Sequence, residues 1–545
     1  MIRWLLLPLF GTALVAAPMA QTAAPQAPSR ASILRGEYGQ YRANNDLLYY
    51  HLDIRVDPAK KLVSGKNTIR FKMLKDDARI QIDLYANLDV DKILLGATPL
   101  KYERELNAVF IDFPETLRAG REYAIDLHYS GTPQQQGRFG GFVFQQSASR
   151  TWIFTACEGD GSSLWWPSKD QWRDEPESMD LSVAIPSDLT DASNGRLMGK
   201  TDLGDGYTRW DWRVHYPINS YNVSINVTNY VHFSDKLGDL DLDFYVTPEN
   251  LDKARVQFAQ AKPMIEAFQK YFGPYPFPKD GYKLVEVPYS GMEHQSAVTY
   301  GNRFANGYLE RDWTGVGVSP KFDFIIIHES GHEWFGNAIS AADVSDMWIQ
   351  EGWTTYLENL YVEHVFGYDD ALKYVNGYKS KVQNRQPIIT QRGIHRTPPQ
   401  DMYFKGALFL NTLRNVVNDD TRWFRLLRDL FAEFRYRNIM TEDLVRFVNQ
   451  RLGQDLTPIF DQYLRQTSLP TLELDFARTP GAVAYRWKAD VAGFAMPIRV
   501  GTKDKWQIIK PTAEWQTLTT PLTRETFEVA TDLYFVNVAK MPAGL

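Results

Sequence analysis

The sequence predicts a multidomain α+β chain: a large antiparallel β block, a mostly helical block with a small sheet, and a final small β block. Three observations carry this. Short runs of alternating apolar and polar residues fill 41–235, helical periodicity dominates 236–470, and strict alternation returns at Phe494, Met496, Ile498 and Val500. At 545 residues, two to four domains are expected, and 15 Trp, 29 Tyr and 30 Phe suffice for large cores.

In chain order, Arg3 precedes an apolar stretch over 4–17 that is short for a bilayer span, with small residues Ala16, Ala17 and Ala20 around its end. Residues 1–20 read as an export signal cut near Ala20, the alternative being a membrane anchor. The mature chain is then expected in the periplasm or the medium, without stable membrane insertion, because no later segment reaches about 18 uninterrupted apolar residues. Residues 21–40 show little pattern and read as a flexible lead-in. A net charge of −6 with no basic run argues against a nucleic-acid partner. Cys157 is the only cysteine, so no intramolecular disulfide forms, and it reads as inert.

Within 41–235, alternating runs at 49–56, 63–71, 79–85, 108–113, 122–130, 151–156, 180–185 and 207–214 predict strands. Turn signals such as Asn194-Gly195 separate them. Trp165-Trp166-Pro167 and the charged run 169–177 read as an irregular segment, packed in its first part and solvated in its second. The helical block begins at 251–272, where Pro263 predicts a kink or break. A strand at 283–287 follows. Helices are expected at 368–382, 404–417, 421–435 and 441–452, the last capped by Thr441, and Thr457-Pro458 opens one more. Residues 471–545 are expected to form a small β-sandwich.

The chemistry concentrates in 321–358. His328-Glu329-Ser330-Gly331-His332 is an HExxH, and Glu351 follows His332 after 18 intervening residues. Two histidines four apart on a helix project from one face and can hold one metal ion. Ser319-Pro320 offers a helix start and Gly336-Asn337 an end. Phe322, Phe324, Ile325, Ile326 and Ile327 make the helix apolar nearly all round, so it reads as buried, where unpaired charge is costly and a metal offsets that cost. Two His and one carboxylate suit one Zn ion per chain and leave a fourth position open. Glu329, beside His328, is placed to act as general base.

Other candidates are less determined by their residues alone. Glu293, in Gly291-Met292-Glu293-His294, follows the strand at 283–287; it either binds a substrate's α-amino group or is a surface acid. Tyr403, in Tyr403-Phe404-Lys405-Gly406, is either an oxyanion donor or one tyrosine among 29. Glu158 is one acid among 66. Asp346 and Glu358 flank Glu351 and either orient the histidines or serve as solvated or capping acids.

These strings together resemble the M1 family of zinc aminopeptidases, the gluzincins. HESGH with its distant Glu351 is similar to the family's zinc signature. Trp348-Ile349-Gln350-Glu351-Gly352 looks like W-L-N-E-G, Gly291-Met292-Glu293-His294 like the exopeptidase motif G-x-M-E-N, and Tyr403-Phe404-Lys405-Gly406 like Y-E-K-G. The resemblance spans about 45–540. It implies a saddle-like N-terminal β domain over 41–235, a thermolysin-like catalytic domain over 236–470 and a C-terminal β-sandwich over 471–545. It further implies Glu293, with Gly291 and Met292, as the anchor of the substrate's amine, Tyr403 as the transition-state donor and Glu158 as a second amine-binding residue. Peptides with a free N-terminus are the implied substrates; oligomeric state is left open. His294 stands where the family has Asn, Phe404 where it has Glu, and the large C-terminal helical domain of many members has no counterpart before Leu545. A thermolysin-like endopeptidase, a hydrolase of small non-peptide molecules and a non-enzymatic peptide-binding protein are the competing expectations.

Overall fold

A computed structural model of the chain describes residues 27–146, 150–478 and 480–541. The export-signal reading lies outside these residues. Each alternating run singled out between 49 and 214 lies within, or within two residues of, a strand, because one face of each is buried. In Asn45–Asp57, for example, Tyr50, Leu52, Ile54 and Val56 point into the core while their neighbours are half-exposed.

Eight strands form the largest sheet, in the order Arg196–Asp202, Tyr207–Val214, Ser178–Pro186, Asn45–Asp57, Leu62–Met73, Glu122–Gly131, Leu88–Leu95 and Thr98–Pro99. Its pairings are antiparallel except one: Asn45–Asp57 runs parallel to Ser178–Pro186, so the expectation of a wholly antiparallel block fails there. A three-stranded sheet and a five-stranded sheet complete this region.

The charged run 169–177 differs from its expected solvated face. Lys169 and Asp170 are buried, Lys169 paired with Asp174 and Asp170 lying 3.7 Å from Arg35. Arg35 belongs to the segment expected to be a flexible lead-in, which is instead helical over Arg30–Gly36. Tertiary contacts hold this short helix. The fully buried Arg42 donates to the carbonyls of Leu34, Arg35 and Glu37 at its C-terminus and pairs with Asp83 at 2.5 Å. Ser32 exchanges two hydrogen bonds with His395, through the His395 N–H (2.9 Å) and carbonyl (2.7 Å).

The helical region opens with Leu251–Gln257 and Ala261–Phe272, broken by a 3₁₀ turn at Phe258–Gln260. The break precedes Pro263 rather than falling on it, because a proline in a helix's first turn forfeits no internal hydrogen bond. A five-stranded sheet, Val231–Leu237, Leu240–Val246, Tyr282–Glu286, Val298–Tyr300 and Gly291–Met292, ends on an edge strand that carries the residues before Glu293. Three helices follow that build the site: Phe324–Gly331, Trp348–Phe366 and Asp401–Val417. Beyond 470 lie a four-stranded and a three-stranded sheet, joined where Trp487 Nε1 donates to the Met496 carbonyl at 2.9 Å.

Gly36 marks how closely the N-terminal helix sits on the loop before Asp401–Val417. A Cβ there would lie 2.3 Å from the Ile394 carbonyl carbon and 2.4 Å from the His395 nitrogen. Gly36→Ala is therefore expected to displace this loop at a cost of about 1–3 kcal/mol, the range for forced overpacking. Thermal unfolding checks it: the melting temperature should fall, and an unchanged value contradicts the contact.

Candidate metal centre and cleft

The helix Phe324–Gly331 does not start at Ser319-Pro320, which lie in a separate 3₁₀ turn over Ser319–Lys321. Asp323 is the N-cap, accepting from the N–H groups of Ile325 and Ile326, whereas Ser319 donates to Asp312 at 2.6 Å. After Gly331 the chain makes a π-helical turn over Glu333–Asn337 and breaks at Phe335 and Gly336. Such turns disturb the regular ladder and occur at functional sites. Here the break turns the Phe335 carbonyl toward His332, whose Nδ1 donates to it at 2.9 Å, with Thr354 Oγ1 donating to the same oxygen at 3.2 Å. Gly336 is required: its φ is +126°, and a Cβ would lie 2.9 Å from His332 Nδ1.

His328 is fixed the same way by a different partner. Its Nδ1 lies 2.6 Å from Glu358 Oε1, and Glu358 also accepts from Tyr374 Oη at 2.6 Å and from Tyr378 Oη. A carbonyl and a carboxylate can only accept, so both rings carry their proton on Nδ1 and present the Nε2 lone pair. The two Nε2 atoms face one oxygen, Glu351 Oε2, at 3.6 and 3.3 Å. That oxygen is buried without a hydrogen-bond partner. A carboxylate oxygen of Glu329 also lies within 4.8 Å of ligand atoms of both histidines. Glu351 is the closer acid, its Oε2 lying within 4 Å of both ring nitrogens. Two Nε2 lone pairs and an orphaned carboxylate oxygen are the donor set that zinc takes, so these residues fit that ion.

Glycines bring the helices together. A Cβ on Gly331 would meet Thr354 Cγ2 at 3.0 Å, and one on Gly406 would meet the Gly352 Cα at 3.0 Å. The second contact sets Tyr403, one turn before Gly406, beside Glu351, so that its hydroxyl donates to Glu351 Oε1 at 3.1 Å. On the opposite wall, a Cβ on Gly291 would lie 3.1 Å from Glu329 Cγ, so the edge strand passes directly against the HExxH helix.

That strand delivers Glu293. It is buried, Oε1 accepts from Tyr221 Oη at 2.9 Å, and Asn337 Nδ2 holds its backbone carbonyl at 2.8 Å. Glu158, Glu293, Glu329, Glu351, His328, His332, Gly291, Met292 and Tyr403 all line one cleft of about 540 Å³. Its charge balance is strongly negative. Burial, with Glu293 close by, pushes the Glu329 carboxyl up to about 7. Burial and then the charges of Glu293 and Glu351 raise Glu158, whose Oε1 has no partner. Converging carboxylates of this kind call for cations.

Not every candidate joins the site. Asp346 contacts neither histidine; it forms a bidentate pair with Arg392 and accepts from Thr441 Oγ1. Thr441 accordingly is not the cap expected of it: Met440 is the N-cap, closed by Asp443. His294 is fully buried, burial pushes it down to about 3, and the cleft lining stops at Glu293. Cys157 is buried, its Sγ 3.8 Å from the Gly141 carbonyl, and burial raises its pKa. Tyr221, Thr354, Tyr374 and Tyr378 are positioning residues that the sequence reading missed. Only Thr354, one turn after Glu351, stood where periodicity could have flagged it.

Two family descriptions match the chain: the Peptidase M1 N-terminal domain over residues 47–222 and the Peptidase family M1 domain over 256–463. The chain belongs to peptidase family M1. Among its M1 relatives, endoplasmic reticulum aminopeptidase 1 of Mus musculus is 23% identical over 351 residues, covering 61% of this chain and 37% of that protein. Probable aminopeptidase 1 of Sulfurisphaera tokodaii is 20% identical over 427 residues, covering 74% and 52%. This M1 chain thus spans about a third to a half of the length of these curated relatives. An M1 zinc metallopeptidase of Deinococcus radiodurans, solved as a mutant bound to a Tyr-Ser-Ala substrate, superposes with a TM-score of 0.65 at 20% identity, covering 78% of this chain and 96% of that one. That likeness establishes a shared fold.

Because Glu358 is the hydrogen-bond partner of His328 Nδ1, Glu358→Gln should weaken zinc binding by about 10–100-fold, the usual effect of losing such a partner. Competition with a chromogenic chelator measures it; unaltered affinity contradicts the role.

Proposed function

We propose that this chain is a zinc-dependent aminopeptidase that hydrolyses N-terminal residues from peptides. The observation that carries the reading is one cleft with the HExxH, Glu351 and Tyr403 on one side and Glu293, with its backbone and carboxylate both anchored, on the other. The M1 relatives named aminopeptidases support it. Zinc, held by His328, His332 and Glu351, supplies Lewis-acid polarisation of the scissile carbonyl and a lowered pKa for water.

The chain's own groups do the rest. Glu293, with Glu158 beside it, accepts hydrogen bonds from the substrate's ammonium group and so fixes where the peptide begins. Glu329 removes a proton from the attacking water and delivers it to the leaving amine. Tyr403 donates its phenolic hydrogen to the oxyanion that develops on the scissile carbonyl. Burial and then Glu351 hold Tyr403 above the ordinary phenol range, so it remains a donor.

The proposal includes three folded parts, 41–235, 236–470 and 471–545, and export of the mature chain, supported by Arg3 and the apolar stretch over 4–17.

Glu329→Gln should keep the metal and lose about 10²–10⁴-fold in kcat. Glu293→Ala should impair unblocked aminoacyl reporters selectively. Turnover by Glu329→Gln at the wild-type rate, or cleavage of N-acetylated peptides as fast as free ones by the wild type, contradicts the reading.

A further inference from the structure

We propose that Arg138 anchors a carboxylate at the far end of the substrate, which makes this a site for short peptides that carry an anionic group a few residues from their free amine. The proposal rests on the aminopeptidase reading and adds the substrate class to it.

Six carboxyl groups line the cleft: Glu158, Asp160, Glu293, Glu329, Glu351 and Glu358. Arg138 is the one Lys or Arg side chain among the described residues lining it. None of the six acids pairs with it. Glu358 and Glu351 are taken by the histidines, and Asp160 accepts from Gln136 Nε2 at 3.1 Å. Among the described residues Arg138 forms no ion pair, and its side chain is exposed.

It is nonetheless held in place. The guanidinium carbon sits 4.9 Å from the centre of the Phe139 ring. The Phe139 ring lies 5.4 Å from Tyr289, which in turn packs at 5.1 Å on Phe154 and bonds Thr299 Oγ1 at 2.9 Å. Tyr289 stands two residues before the strand Gly291–Met292 that delivers Glu293. One aromatic ladder therefore ties the cation to the element that carries the amine anchor. Stacking on an aromatic face leaves the guanidinium's N–H donors free, and their fork matches a carboxylate in bidentate fashion.

The chemistry of a peptide zwitterion fits both ends. Its ammonium meets the surplus of carboxylates at Glu293, and its carboxylate meets the one cation. A cleft of about 540 Å³ lies within the ~300–1,000 Å³ of small-ligand sites, room for the first few residues of a peptide. The anion has two sources, a C-terminal carboxylate or an acidic side chain at the same distance.

Steady-state kinetics of the zinc-loaded protein at low ionic strength decides this. A tripeptide acid, its C-terminal amide, and an amide with Asp in the third position are compared on the wild type, Arg138→Ala and Arg138→Lys, with melting temperatures confirming that both variants fold. The wild type should favour the acid over the amide by about fivefold in KM at similar kcat, the upper end for a solvent-accessible ion pair. Arg138→Ala should abolish that ratio, and Arg138→Lys should keep part of it. A low KM for the Asp amide assigns the anion to a side chain as well; a high one restricts it to the C-terminus. Equal KM values for acid and amide in the wild type, or a ratio that survives Arg138→Ala, overturn the proposal. An aminoacyl reporter without any carboxylate separates the two levels: if the wild type cleaves it and shows no acid preference, only the role of Arg138 falls, whereas no cleavage removes the aminopeptidase reading and this proposal with it.

Discussion

The site depends on two hydrogen bonds made by the far sides of two imidazoles. Glu358 accepts the Nδ1–H of His328 and the Phe335 carbonyl accepts that of His332. Without them each ring could present either nitrogen, or rotate, and the pair would not converge on Glu351. Much of the surrounding fold serves these two contacts. Tyr374 and Tyr378 hold Glu358, and the π-helical turn and Gly336 deliver Phe335.

Close helix packing does the remaining positioning. Gly331 lets the HExxH helix lie against the helix of Glu351, and Gly352 against Gly406 sets Tyr403 at the same carboxylate. Interiors are dense enough that a single added carbon at such a crossing forces a shift. The glycines of the three motifs around the site thus have steric reasons, each tied to a particular neighbouring atom. The cleft that results is rich in carboxylates, which is unfavourable for the empty protein and favourable for a dication and a substrate ammonium.

How much of this was legible in the sequence depends on the range of the interaction. Strands with one buried face announce themselves by alternation, and His328, Glu329, His332 and Glu351 by spacing. Contacts between distant segments carry no such mark. Tyr221 comes from the N-terminal region to hold Glu293, and nothing in its neighbourhood signals this. The helix Arg30–Gly36 is too short for a periodic pattern and exists because Arg42 caps it from another element. Asp346 and Glu358 looked equivalent beside Glu351, but Asp346 lies in the 3₁₀ turn Val344–Asp346 ahead of the helix and meets Arg392, whereas Glu358, on the helix Trp348–Phe366 with Glu351, meets His328. The single parallel pairing in the large sheet was equally invisible, since strand direction leaves no trace in an alternating run.

The most direct test is to locate the metal. A crystal of the purified protein, with anomalous data collected on both sides of the zinc edge, should show one zinc per chain bonded to His328 Nε2, His332 Nε2 and Glu351. Zinc found elsewhere, or bound through an Nδ1 atom with Glu358 and the Phe335 carbonyl released, would contradict the account.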